Sequence, residues 1–385
     1  MALPQPSPEA QAYSDALKQR IAAEIEAAGG WIGFERFMEL ALYAPGMGYY
    51  SGGARKFGAA GDFVTAPEIS SLFSQTLAAQ AAQVMALSAP QIIEVGAGSG
   101  RLAADLLLEL ERRGALPERY RILELSGELR ARQQATLAER APQLLGRVEW
   151  LDRLPEQFDG LVLANELLDA MPVALVVWND ATILERGVAW ENEAFVWRDR
   201  PAQGRVLEHA LTLASEMVFP TGYLSEINLA AADWTAAWGR ILGRGALLLI
   251  DYGFPRHEYY HEQRDTGTLM CHYRHHAHAE PFFLPGLQDI TAHVDFTAIV
   301  EAGHEAGLDF LGYTTQASFL LNCGLPDILA RTPVEDTLRY LPQARAVDKL
   351  ISLAEMGELF KVIALGKGID ETLIGFAQND RSETL

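Results

Sequence analysis

Cysteine is almost absent from this 385-residue chain: Cys271 and Cys323 are the only two, and they lie far apart. They supply neither a disulfide framework nor a cysteine-based zinc site, and they fit a reducing cytoplasm, which is the expected location. Positive charge is scarce as well. Against 51 Asp and Glu stand 31 Lys and Arg, a formal net charge of −20. Such a surface repels a phosphate backbone, so nucleic acid is not an expected partner, whereas a basic protein would be attracted. Long apolar runs are missing too. The longest, Gly245–Ile250, is bracketed by Arg244 and Asp251 and falls far short of the roughly 20 residues a spanning helix needs, so no membrane insertion is expected. The first eight residues, Met1-Ala2-Leu3-Pro4-Gln5-Pro6-Ser7-Pro8, show neither a basic region with an apolar core nor an Arg-rich transit pattern. No internal repeat or low-complexity tract is evident.

What is present is a large apolar complement, 49% of residues, in a chain longer than one domain usually runs. One large core with an attached or inserted lobe is expected. Residues 9–29 carry apolar side chains at helical spacing and stop at Gly29-Gly30, a C-terminal cap pattern. A Gly-rich stretch from Tyr43 to Glu68 reads as an extended ordered loop. From residue 91 short apolar runs alternate with helical stretches, the pattern of βαβ units and a parallel sheet. Strands are expected at Gln91–Val95, Arg121–Leu125, Arg147–Leu151, Leu161–Ala164 and Ala246–Asp251, with crossover helices at Leu102–Arg113 and Glu128–Ala141. Val173–Trp178, Ala181–Glu185, Val188–Trp190 and Ala194–Trp197 read as short strands joined by hairpin turns. A terminal strand pair is expected near Leu308–Gly312 and Lys361–Leu365. The expected organisation is an extension at 1–85 covering the active site, a Rossmann-like α/β core from 86–171 and 241–385, and a β-rich and helical lobe inserted at 172–240.

The segment Ile92-Ile93-Glu94-Val95-Gly96-Ala97-Gly98-Ser99-Gly100 puts a Gly-rich turn between a strand and a helix. There, backbone N–H groups and the positive helix end face a bound ligand. Arg101 stands where a dinucleotide fingerprint needs its third small residue for close packing. That mismatch counts against NAD or FAD and for S-adenosyl-L-methionine (SAM), whose positive charges Glu94 can complement. Glu94, Gly96, Ala97, Gly98 and Gly100 are therefore expected to bind SAM. Glu124, at the end of the second strand, is placed to accept the ribose hydroxyls. Leu151 and Asp152, after Trp150 on the third, offer adenine an apolar face and an acceptor for its amino group.

These residues, with Tyr43-x-Pro45-Gly46-x-Gly48-Tyr49-Tyr50, Gly61 to Ser70, Asn165-Glu166-Leu167-Leu168-Asp169-Ala170-Met171-Pro172-Val173, Ile250-Asp251-Tyr252-Gly253 and Asp289 to Phe296, resemble the MidA-like family of class I methyltransferases. That family includes a mitochondrial complex I assembly factor that methylates an arginine of its partner subunit. The resemblance runs from about residue 35 to the C-terminus. It implies a mostly parallel, seven-stranded Rossmann-like sheet, SAM as cofactor and a protein acceptor, by likeness a respiratory-complex subunit. Leu167-Leu168 stands where aromatic residues are frequent in the family, and Ala66 where serine is common. The resemblance also puts Asp62, Thr65, His293 and Asp295 at the substrate pocket.

Asn165, Glu166 and Asp169 follow the fourth strand, at the sheet edge where open α/β folds do their chemistry. Two carboxylates can clamp a planar guanidinium and polarise one nitrogen, so Glu166 is expected to orient the acceptor and Asp169 to assist. Asn165 is expected nearer the methionine end of SAM, the plainer alternative being that it caps a following helix. Two further readings keep SAM and change the acceptor side: a SAM-binding assembly protein with little or no transfer activity, and a small-molecule methyltransferase. His257-Glu258-Tyr259-Tyr260-His261 matches the zinc-protease pattern H-E-x-x-H, but Pro255 and Gly267 leave room for only a short helix. His272, His275, His276 and His278 beside Cys271 read as a solvated loop, so no metal is expected.

Overall fold

A computed structural model describes residues 3–52, 65–180 and 182–385. The chain divides into two compact units. One comprises residues 1–63, 168–233 and 256–295, the other residues 64–167, 234–255 and 296–385.

The second unit is the sheet-and-helix core. Its strands are β1 (Gln91–Val95), β2 (Arg119–Leu123), β3 (Val148–Leu151), β4 (Phe158–Asn165), β5 (Leu242–Phe254), β6 (Asp309–Thr315) and β7 (Phe360–Lys367). They lie in the order β6-β7-β5-β4-β1-β2-β3. The neighbours from β5 to β3 are parallel, and β7 is antiparallel to both β5 and β6. These seven strands form the main path of the sheet and run in the expected mostly parallel arrangement. β1, β4 and β5 are buried on both faces and so read as continuous apolar runs. Helix α1 (Ser71–Leu87) starts on Ser70, whose hydroxyl accepts from the Leu72 N–H at 3.2 Å. Helix α2 (Arg101–Arg112) buries Leu102, Leu106, Leu107 and Leu110 along one stripe. Helix α3 (Gly127–Arg140), capped by Ser126, buries Leu129, Gln133 and Leu137.

The first unit has its own apolar core, centred on Leu17, Ile21, Phe34, Phe37, Val173, Leu175 and Ile290. Helix Pro8–Ala27 and the strands Ala174–Trp178, Ile183–Glu191, Ala194–Pro201 and Tyr223–Ile227 belong to it. The two runs expected at 181–185 and 188–190 are one strand, because Gly187 carries the chain straight past Ile32, its neighbour Val188 pairing with that residue; Ala181 itself lies outside the described residues.

The expected boundaries do not coincide with the two units. Residues 65–85 pack with the sheet as the helix Ala66–Ile69 and α1. Residues 256–295, expected in the core, form part of the first unit through a three-stranded sheet of Met270–Tyr273, His276–His278 and Asp289–Thr291. Both departures come from packing between segments remote in sequence. Among the described residues no helix is long and apolar enough to cross a membrane.

Candidate functional site

The glycine-rich turn leaves β1 and opens α2. Gly96, Gly98 and Gly100 all have positive φ, +71°, +52° and +83°, a region costly for residues with a Cβ. Gly100 is constrained twice, since a Cβ there would stand 3.0 Å from the Gln133 Cα of α3. The turn thus exposes backbone with no side chains on its glycines, which suits an adenosyl ligand approaching closely, while the Gly96 and Gly100 N–H groups donate to the Leu123 and Ala97 carbonyls. Ala97 is buried within it.

Glu94, one residue before the end of β1, is buried and accepts a 2.6 Å hydrogen bond from the Tyr120 hydroxyl. Burial pushes its carboxyl up to about 7 although the Tyr120 bond pulls it down, and the charge of Glu124 pushes the same way as burial. Glu124 follows β2 directly and is buried. Its Oε1 accepts from the Ser126 N–H at 2.9 Å and its Oε2 from the Gln133 amide at 3.1 Å. Burial raises its pKa against those bonds. The Arg130 guanidinium donates to the Glu124 carbonyl at 2.6 Å and to the Leu151 carbonyl at 2.7 Å, tying the ends of β2 and β3 together. Leu151 is half-buried and Asp152 exposed beyond it.

At the end of β4, Glu166 stands at φ +52°, a conformation that non-glycine residues adopt at a cost of about 1–3 kcal/mol and that gathers at functional sites. Its N–H donates to the Ile250 carbonyl at 2.8 Å. Its Oε1 accepts from the Asn165 amide at 2.9 Å and from the Ala66 N–H at 3.3 Å. Buried Asp251 holds the next residue, accepting from the Leu167 N–H at 3.1 Å. No helix follows Asn165, which removes the capping alternative, and its Oδ1 is buried without a hydrogen-bond partner among the described residues.

Asp169, His293 and Asp295 belong to the first unit. Asp169 is buried, and its carbonyl accepts from the Ala292 N–H at 2.9 Å. The His293 N–H donates to the Thr268 hydroxyl at 3.0 Å, and Asp295 pairs with Arg256 at 3.5 Å. Thr65 precedes the helix Ala66–Ile69 as its N-cap without a side-chain capping bond. Asp62 lies outside the described residues.

Two further side chains, Glu68 and Gln133, bond to the turn. Glu68 receives the Ser99 hydroxyl and the Arg101 guanidinium, the latter at 3.0 Å, so the segment before α1 is pinned to the turn. Gln133 is fully buried and bonds to Gly98, Glu124 and Trp150. Its one sequence signal is a polar residue midway between Leu129 and Leu137 on the buried stripe of α3.

The H-E-x-x-H match is not a metal site. The helix there ends at Tyr259, leaving His261 outside it, and both histidines are exposed. Tyr259 and Tyr260 instead donate to the buried Glu226, to a carboxylate oxygen and the carbonyl respectively, each at 3.1 Å. The second His cluster lies on the strands Met270–Tyr273 and His276–His278 and their turn, with Cys271 buried. Among the described residues no group of three or more His, Cys, Asp and Glu could hold a metal.

A family profile described as S-adenosyl-L-methionine-dependent methyltransferase matches residues 75–314. Curated relatives match over most of their length. The mitochondrial protein arginine methyltransferase NDUFAF7 of Danio rerio is 28% identical over 382 residues, covering 90% of this chain and 86% of the relative. That of Mus musculus is 28% identical over 375 residues, covering 87% and 81%. A Burkholderia thailandensis crystal structure with bound S-adenosyl-homocysteine superimposes with a TM-score of 0.97 at 56% identity, over the whole of both chains. A second crystal structure from the same organism gives a TM-score of 0.94 at 55% identity, again over both whole chains. With a glycine turn free of side chains between β1 and α2, a sheet of the expected order and these likenesses, the chain belongs to the S-adenosyl-L-methionine-dependent methyltransferase family and is a methyltransferase that uses SAM.

Proposed function

We propose that the methyl acceptor is an arginine side chain of a protein, by resemblance a respiratory-complex subunit. The observation that carries this is Glu166, a carboxylate held in a strained backbone conformation at the carboxyl edge of the sheet. The relatives named as protein arginine methyltransferases support it, as does a net charge of −20, which draws a basic partner.

In this reading Gly96, Ala97, Gly98 and Gly100 cradle the cofactor, Glu94 complements its positive charge, and Glu124 accepts the ribose hydroxyls. Leu151 and Asp152 flank adenine. The buried Oδ1 of Asn165 accepts from the methionine ammonium, while its amide steadies Glu166. SAM supplies a methyl carbon already activated by sulfonium, so the protein's own task is positional and acid–base. Glu166 orients the guanidinium and polarises the attacking nitrogen, which gives up its proton to solvent as the N–C bond forms and S-adenosylhomocysteine leaves.

The test is to incubate the protein with methyl-labelled SAM and a lysate, comparing wild type with Glu166→Gln. Label on discrete protein bands that hydrolyse to methylarginine, lost in the variant while S-adenosylhomocysteine still binds within about threefold, is the expected result. Label confined to small molecules, or unchanged in the variant, overturns the reading.

A further inference from the structure

Gln133 lies on the buried face of α3 and is fully enclosed. Its amide nitrogen donates to the Gly98 carbonyl at 3.2 Å and to Glu124 Oε2 at 3.1 Å, while its amide oxygen accepts from the Trp150 indole N–H at 2.9 Å. These partners fix the amide one way round. An indole nitrogen can only donate, and a carbonyl and a carboxylate can only accept. A flipped amide would set N–H against N–H and oxygen against two oxygens. Three cofactor-facing elements, the glycine turn after β1, the acid after β2 and the aromatic residue on β3, therefore meet on one side chain.

We propose that Gln133 is a positioning residue for the cofactor, fixing the Glu124 carboxylate against the glycine turn so that both its oxygens face the ribose hydroxyls. The proposal rests on reading Glu124 as the ribose acid. Gln133 occupies one acceptor direction on Oε2 and the Ser126 N–H one on Oε1. Each oxygen keeps a second lone pair, the arrangement two neighbouring hydroxyls require. Without Gln133 the carboxylate turns about its terminal bond, and the two hydroxyls are no longer met together.

The experiment measures, by calorimetry, the dissociation constants of S-adenosylhomocysteine and of its 2′-deoxyribose counterpart. Unfolding midpoints of the unliganded proteins are followed alongside. Wild type is expected to prefer the hydroxylated ligand by about tenfold or more. In Gln133→Met, S-adenosylhomocysteine binds about tenfold more weakly and the preference falls towards one. Trp150→Phe leaves Gln133 in place, removes the donor that orients its amide while keeping an aromatic ring at the site, and is expected to cut the preference at least threefold. This variant decides the matter should Gln133→Met fail to fold. A residue acting only as core filling would lower the unfolding midpoint and leave the preference unchanged, and that result in the folded variants overturns the proposal. A wild type with no preference at all overturns the ribose reading of Glu124, and the proposal with it.

Discussion

At the scale of single residues, two buried glutamates set opposite pH dependences. Glu94 has the Tyr120 hydroxyl for a partner, which offsets burial only in part, so burial lifts its carboxyl from 4.5 to about 7. The folded protein then binds more protons than the unfolded chain between those values. This contribution to stability is complete below pH 4.5 and is lost as pH rises through 7, an effect of about 3 kcal/mol at most. Glu109 is the reverse case. Burial alone would raise it, but hydrogen bonds from Arg112, Arg331 and Arg113 outweigh burial and hold it at about 2. Its contribution is present above 4.5 and lost as pH falls towards 2. Thermal melts of the unliganded protein should therefore show the midpoint falling from pH 5 to pH 8, with a shallower fall in Glu94→Gln. An equal slope in the variant would show that Glu94 is ionised throughout. Ligand binding gives a second expectation with its own sign. A cationic ligand favours the ionised form of Glu94, so SAM should bind more tightly at pH 8 than at pH 6, and calorimetry on Glu94→Gln should find that difference reduced.

At the scale of elements, the glycine turn joins a strand to a helix under two constraints that can be separated. Gly100 combines φ +83° with a Cβ position 3.0 Å from the Gln133 Cα, whereas Gly114, after α2, combines φ +67° with open space. Gly114→Ala should cost about 1 kcal/mol from backbone strain alone and leave S-adenosylhomocysteine affinity within about twofold of wild type. Gly100→Ala must also push α3 away from the turn. It should cost about 2–3 kcal/mol and weaken S-adenosylhomocysteine roughly tenfold or more, as denaturant unfolding and calorimetry would show. Equal effects of the two substitutions would mean that the turn tolerates displacement of α3. The same elements show what the sequence made legible. β1 was readable to the residue, and α2 and α3 to within one, because parallel strands buried on both faces and amphipathic helices carry strong periodic signals. The assignment of residues 256–295 to the first unit was not legible, since it depends on pairings such as Cys271 with Ile290 and on tertiary bonds such as Tyr259 to Glu226. Nor was the pinning of Glu68 to Ser99, 31 positions away, for no local period encodes it. Gln133 is intermediate: its place between Leu129 and Leu137 marks it as buried, but what it bonds to is set by the sheet.

At the scale of the whole molecule, a formal charge of −20 acts on any acceptor before contact is made. Arginine is always protonated, and an arginine-rich peptide is drawn to an acidic protein with a rate that ionic strength screens, the Debye length shrinking from about 10 Å at 0.1 M to about 3 Å at 1 M. The cofactor site is a different electrostatic setting, because Glu94 and Glu124 are buried and buried charges are screened far less. The two binding events should therefore separate under salt. For a basic protein or peptide acceptor, kcat/KM should fall about tenfold or more between 0.05 and 0.5 M salt, with most of the loss in association and little in kcat. S-adenosylhomocysteine affinity should change by no more than about threefold over the same range. A neutral small-molecule acceptor has no such attraction to lose, so a salt-independent kcat/KM alongside intact cofactor binding would point to that acceptor class and against an arginine-bearing partner.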